Sequence, residues 1–271
     1  MKTTKHTFLF VILLLSFLIS CKEINLPLLN SDEINAKYYP TVLIQKTSDE
    51  LYLLNNEYHS LNNNRIDTDL NRFGLTGTPG IQRHQNPRKK ISKRQALNFA
   101  VTALIKNSKF TNVSDSLELL SRDCNFRYVN LDCTKCIVDF APQQYNEFQI
   151  INSSIQVGVY EDGVYSIGGS WYKDIFIPFH DNYNIDLAID KIVGKSITWD
   201  SDIGPPNELI IVRELILEPI IKVIFPLVKE NSIEFRMVWE IPIKHYNFIG
   251  WHLYFDTTFG EIVAISQEFM S

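Results

Sequence analysis

The sequence predicts an α+β fold, on three observations. Two amphipathic helical segments, at 93–106 and around Ala188, each begin at a capping residue. Each is followed by short β-branched and aromatic runs bounded by turn residues, the pattern of strands. Two pairs of those runs close on glycine turns that read as hairpins, Glu161-Asp162-Gly163 and Thr257-Thr258-Phe259-Gly260. The predicted architecture is a tandem pair of modules, each an amphipathic helix packed on an antiparallel sheet. The expected division is a leader at 1–20, a tether and loop segment at 21–91, a first module at 92–180 and a second at 181–271.

The leader comes first. Lys2 and Lys5 precede an apolar run from Phe8 to Ile19, which ends Leu18-Ile19-Ser20-Cys21. A charged start, a short apolar core and a small residue before a cut describe a secretory signal. The run is shorter than the roughly 20 residues that span a bilayer. Its aliphatic, aliphatic, small, Cys ending resembles the bacterial lipobox, which implies lipid attachment at Cys21 and a membrane-anchored place in the cell envelope. Lys22 in the next position resembles outer-membrane sorting. Without the leader, 24 basic residues face 31 acidic ones, a charge of −7. That balance argues against a nucleic-acid partner, whose phosphates require a basic face.

Residues 22 to about 90 are rich in Asn and charge, and read as tether and loop. Within them the run Thr41–Ile44 and a short helix over Ser48–Leu61 are expected to dock on the body. Arg83, Arg88, Lys89, Lys90, Lys93 and Arg94 form a mixed basic cluster that reads as a solvated linker and the start of a helix.

Ser92 and Gln95 stand at capping-box spacing, and Ala96, Leu97, Phe99, Ala100, Ala103 and Leu104 then recur on one face, which predicts a helix over 93–106. Strand-like segments follow at Leu117–Leu120, Asn125–Leu131, Cys136–Phe140, Ser154–Tyr160 and Val164–Ile167. The pattern then repeats. Asn184 caps a helix carrying Leu187, Ala188, Ile192 and Val193, and the runs Leu209–Val212 and Ile220–Phe225 come next. Phe235, Met237, Trp239, Ile241 and Ile243 alternate with Glu234, Arg236 and Glu240, a strand with one buried face. A last hairpin joins Trp251–Asp256 to Glu261–Ile265. Ala96 and Ala188 lie 92 positions apart, and Gly163 and Gly260 lie 97 apart, so the two halves read as copies of one unit.

Cys124, Cys133 and Cys136 remain once Cys21 is spent, in a compartment that permits disulfides. Cys133 and Cys136 have the C-x-x-C spacing of redox pairs and half zinc sites. Their position between two strand-like runs favours a hairpin turn, with a disulfide from Cys124 to one of the pair. Trp171, Tyr172, Phe176 and Phe179 cluster between the modules, either gluing the copies together or lining an exposed groove that takes a partner. His245, His252, Glu240 and Asp256 lie close in sequence. His252 and Asp256 share a strand face but do not supply the three ligands of a catalytic zinc, and they read as surface polar residues. No G-x-S-x-G elbow, phosphate loop, G-x-G-x-x-G fingerprint or His-Glu-x-x-His is present, so no enzyme activity, metal or cofactor is expected.

FRMVWEIPI and GWHLYFDTTFGEIVAI, within residues 235–265, resemble the end of a PepSY domain. Gln144, Tyr145, Ile150 and SSIQVGVYEDGVYSIGG resemble the related fungalysin and thermolysin propeptide module. Gln143 or Gln144 serves as the family Gln, while Glu147 stands for its Gly and Gln149 for its Pro. The resemblance spans about residues 92–268. It implies a cystatin-like fold and a binding module that stands alone, on a lipid anchor, without a protease domain. Such modules assist and inhibit metalloproteases; with no protease sequence in this chain, an envelope peptidase in trans or an extended peptide is the expected partner. The other reading is a structural or surface scaffold with no peptidase partner.

Overall fold

The helices start where a side chain closes the first turn. In the computed structural model, which describes residues 39–66, 68–77, 89–120, 124–128, 134–177, 181–199, 207–244 and 249–269, α1 spans Ser48–Leu61 and α2 spans Lys93–Lys106. Thr47 and Glu50 form a reciprocal capping box on α1, and Ser92 and Gln95 form one on α2. Two short helices, α3 at Ser108–Thr111 and α4 at Ser116–Leu120, follow. α5, Ile185–Ile192, begins at Asn184, whose side chain accepts the Leu187 amide at 3.0 Å. The leader, Cys21, Cys133, Phe179 and His245 lie outside the described residues.

The run 117–120 departs from expectation: it is the helix α4 rather than a strand. Asp115 takes the Leu117 amide at 2.8 Å and opens the turn, and Leu119 is buried in the core. Three leucines within four residues, Leu117, Leu119 and Leu120, fit either element, and here the local cap decides.

Two antiparallel meanders hold the fold. The first runs β2 (Cys124–Tyr128), β3 (Lys135–Phe140), β6 (Ile155–Tyr160) and β7 (Gly163–Gly169), with strand order equal to chain order. A small hairpin of β4 (Gln144–Tyr145) and β5 (Phe148–Gln149) is inserted between β3 and β6. α2 lies against β3, β6 and β7, with Ala96, Ala100 and Leu104 facing Val138, Val157 and Ile167 in one core. The second meander is β10 (Ile221–Val228), β11 (Ser232–Lys244), β12 (Ile249–Asp256) and β13 (Ile262–Phe269). The short pair β8 (Ser196–Trp199) and β9 (Asn207–Ile210) precedes it. Ala188 and Ile192 of α5 share a core with Ile241, Leu253 and Phe255. Both meanders end in a hairpin whose turn glycine takes positive φ, +141° at Gly163 and +70° at Gly260, a conformation costly for any residue with a Cβ.

The described part of the expected tether is structural. β1, Thr41–Ile44, pairs antiparallel with β11, Thr41 opposite Phe235. Tyr58 of α1, Ile66 and Leu70 enter the core under the first sheet, while Phe73 and Leu75 enter the one beneath β10 and β11. Asn62, expected in a loop of asparagines, is buried and exchanges amide hydrogen bonds with Asn107 at 2.7 and 3.0 Å, tying the ends of α1 and α2 together. The described residues accordingly form one compact unit.

β11 also departs from a strand with one buried face. Phe235, Met237, Ile241 and Ile243 are buried as the alternation predicts, but Val238 on the other face is buried too, against Val223 and Tyr254. Ile151 packs against that cluster and donates its amide to the Ile224 carbonyl at 2.9 Å.

Candidate functional site

The aromatic cluster between the two sheets belongs to the interior. Trp171 is 1 % exposed within the first core, and Tyr172 sits in the second, its ring edge-on to Phe235 at 4.7 Å. Gln143 locks this crossing: its side-chain oxygen accepts the Tyr172 amide at 2.7 Å and its amide donates to the Tyr172 carbonyl. Phe176 is half-buried and its backbone N–H donates to Thr41 Oγ1 at 2.7 Å. Trp171 therefore lines no exposed docking groove, while Tyr172, 8 % exposed, reaches the cleft beside β1. They join the two cores, because consecutive side chains of an extended segment point to opposite sides.

Register separates two of the three cysteines. Cys124 stands opposite Phe140 and Cys136 opposite Tyr128, so four ladder positions, roughly 14 Å, lie between them. A disulfide needs Cα atoms within about 7 Å, which excludes a bond from Cys124 to Cys136. Cys136 is instead a buried core side chain.

On the outer face of β11 and β12, Glu240 gathers polar side chains. His252 Nδ1 lies 2.7 Å from Glu240 Oε1, and the Tyr254 hydroxyl donates to the same oxygen at 3.3 Å. With Ser266, Gln149 and Asn152 they line an open cavity of about 460 Å³. Asp256 shares their face but has other work. It is fully buried, accepts the amides of Thr258 and Phe259 at 2.7 and 2.8 Å, and pairs with Arg236 at 3.2 Å. Burial pushes its carboxyl above the ordinary range, against those amides and the guanidinium. Arg236 in turn pairs with Glu234, which also takes Lys229 at 2.5 Å. Burial alone would raise the Glu234 carboxyl, but the hydrogen bonds from Lys229 and Arg236 outweigh it and hold the group low. Among the described residues no group of three or more His, Cys, Asp or Glu is placed to hold a metal ion. The Arg236–Asp256 pair was not foreseen in the sequence, where the two lie 20 positions apart with no motif between them.

Two further features are open to a ligand. A cleft of about 400 Å³ lies between β1, residues 73–75 and residues 172–174. At the far side of the second sheet, β13 pairs with β12 alone among the described strands. Its sequence, IVAISQEF, contains no Lys, Arg or Pro, the residues that usually blunt such an edge. Ile265 on it is 40 % exposed.

No family model matches this chain, and no curated protein matches it. Among solved structures it is similar to the Bacillus megaterium YpeB C-terminal domain, with 11 % identity, a TM-score of 0.30, and coverage of 83 % of this chain and 98 % of that one.

Proposed function

We infer that this chain is a non-catalytic binding module of the cell envelope, lipid-anchored through Cys21, that takes an extended polypeptide along the outer edge of β13. The β13 edge is the observation that carries this reading. Eight residues of strand offer backbone N–H and C=O groups on the side away from β12, and only another extended chain satisfies such a row at its own spacing. The anchor rests on the lipobox-like leader, and an envelope peptidase is the partner the PepSY-like motifs favour. We also read the two halves as diverged copies of one unit. A helix followed by a four-stranded meander in chain order, twice, supports that reading.

The test places a photocrosslinker at Gln267, exposed on β13, in the full chain in its native membrane. A polypeptide should be captured, and Ile265→Lys should reduce capture about tenfold, because a lysine on the edge opposes pairing. Ile265 is exposed, so the unfolding free energy should stay within about 0.5 kcal/mol of the parent's. Capture that is indifferent to Ile265→Lys would remove the edge from consideration, and no capture at all would favour the scaffold reading.

A further inference from the structure

The cleft beside β1 joins an apolar floor to a cationic rim. Leu43, Leu54, Phe73, Leu75, Tyr172 and Phe235 supply the floor. Lys46, Lys109 and Lys173 stand around it with one carboxylate, Asp174. Lys109 is paired with Glu57 at 2.5 Å. Lys46 and Lys173 make no ion pair among the described residues, although Glu50, engaged in the α1 cap, feels the Lys46 charge. Lys46 is half-buried, with its stem against Gly74. The chain as a whole is acidic, at −5, so an excess of lysine around its apolar cleft runs against the prevailing charge.

Apolar walls give affinity to an apolar body, and an unpaired ammonium at the mouth selects an anionic head. The volume lies near the low end of the range for small-molecule sites, about 300–1,000 Å³, which suits one acyl chain and not two. We propose that this cleft binds a single-chain acyl carboxylate, a free fatty acid of medium length, with its chain over Phe73 and Phe235 and its carboxylate between Lys46 and Lys173.

The experiment uses the full chain and a diazirine-bearing decanoate, with labelled peptides mapped by mass spectrometry. Labelling should fall on residues 41–46, 73–75 and 172–174 and be displaced by unlabelled decanoate. Lengthening the competitor should strengthen displacement about fourfold per methylene until the cleft is full. Lys46→Gln with Lys173→Gln should weaken decanoate about tenfold at low salt and leave decanol unchanged. Val42→Trp, at an exposed position on β1, should block labelling while thermal unfolding stays at the parent's midpoint. The proposal is overturned by labelling confined to another surface, by decanol competing as well as decanoate, or by no labelling at about 1 mM, an affinity of only about 4 kcal/mol. Displacement by dioleoylphosphatidylglycerol but not by decanoate would overturn it in favour of a two-chain lipid.

Discussion

Arg236 and Asp256 meet diagonally across β11 and β12, where Val238 is the direct partner of Asp256. Asp256 holds the β12–β13 turn through two backbone amides, and Arg236 keeps its charge compensated inside the protein. Removing the guanidinium leaves a carboxylate buried without its counter-charge, which costs about 3–5 kcal/mol. Arg236→Leu should therefore lower stability by about that amount in denaturant titration; a loss below about 1 kcal/mol would mean that the two amides suffice. The turn itself was legible in the sequence, because Asp256-Thr257-Thr258-Phe259-Gly260 states its own chemistry within five residues. The arginine was not, because a partner two ladder steps away is fixed only once register is known.

At the scale of elements, local signals carried furthest. The capping box of α2 and the Asp162-Gly163 hairpin lie where the sequence places them, since each is closed by residues within one turn. Pairings over long spans left no local trace: Tyr39, just before β1, accepts the Met237 amide at 2.8 Å from 198 positions away. Burial also sets a pH limit on these elements. Tyr39 is pushed up to about 12, chiefly by burial and also by the nearby Asp256 charge, and burial raises Tyr58 on α1 to about 12 as well. The ordinary value is 10.0, so the folded state favours the neutral phenol. The stability these two groups contribute is full below pH 10 and is lost as pH rises toward 12. In an alkaline titration, tyrosinate absorbance from these two residues should appear together with loss of helical circular dichroism, and Tyr39→Phe with Tyr58→Phe should move that loss to higher pH. Ionisation of both near pH 10 in a still folded chain would contradict the burial.

For the whole molecule, the two meanders and their helices were readable from periodicity and turns, but their mutual support was not. β1 and the helix over Ser48–Leu61 lie where the sequence expects docking elements, but the loop-like look of residues 22–90 conceals five buried apolar side chains, Tyr58, Ile66, Leu70, Phe73 and Leu75. Asparagines and charged residues interrupt that stretch throughout, and the buried apolar residues reach two different cores and so show no period of their own. Each fully buried side chain of this kind is worth about 1.5–3 kcal/mol. Five of them amount to about 7–15 kcal/mol before ordering costs, comparable with the net stability of a domain, about 5–15 kcal/mol. A chain beginning at residue 92, the expected start of the first module, should therefore lack a sharp thermal transition and bind a hydrophobic dye. The same chain co-expressed with residues 22–91 as a separate fragment should recover the transition, because the missing side chains return to both cores. If the shortened chain melts as sharply as the parent and within a few degrees of it, the segment at 39–77 is an accessory to the fold.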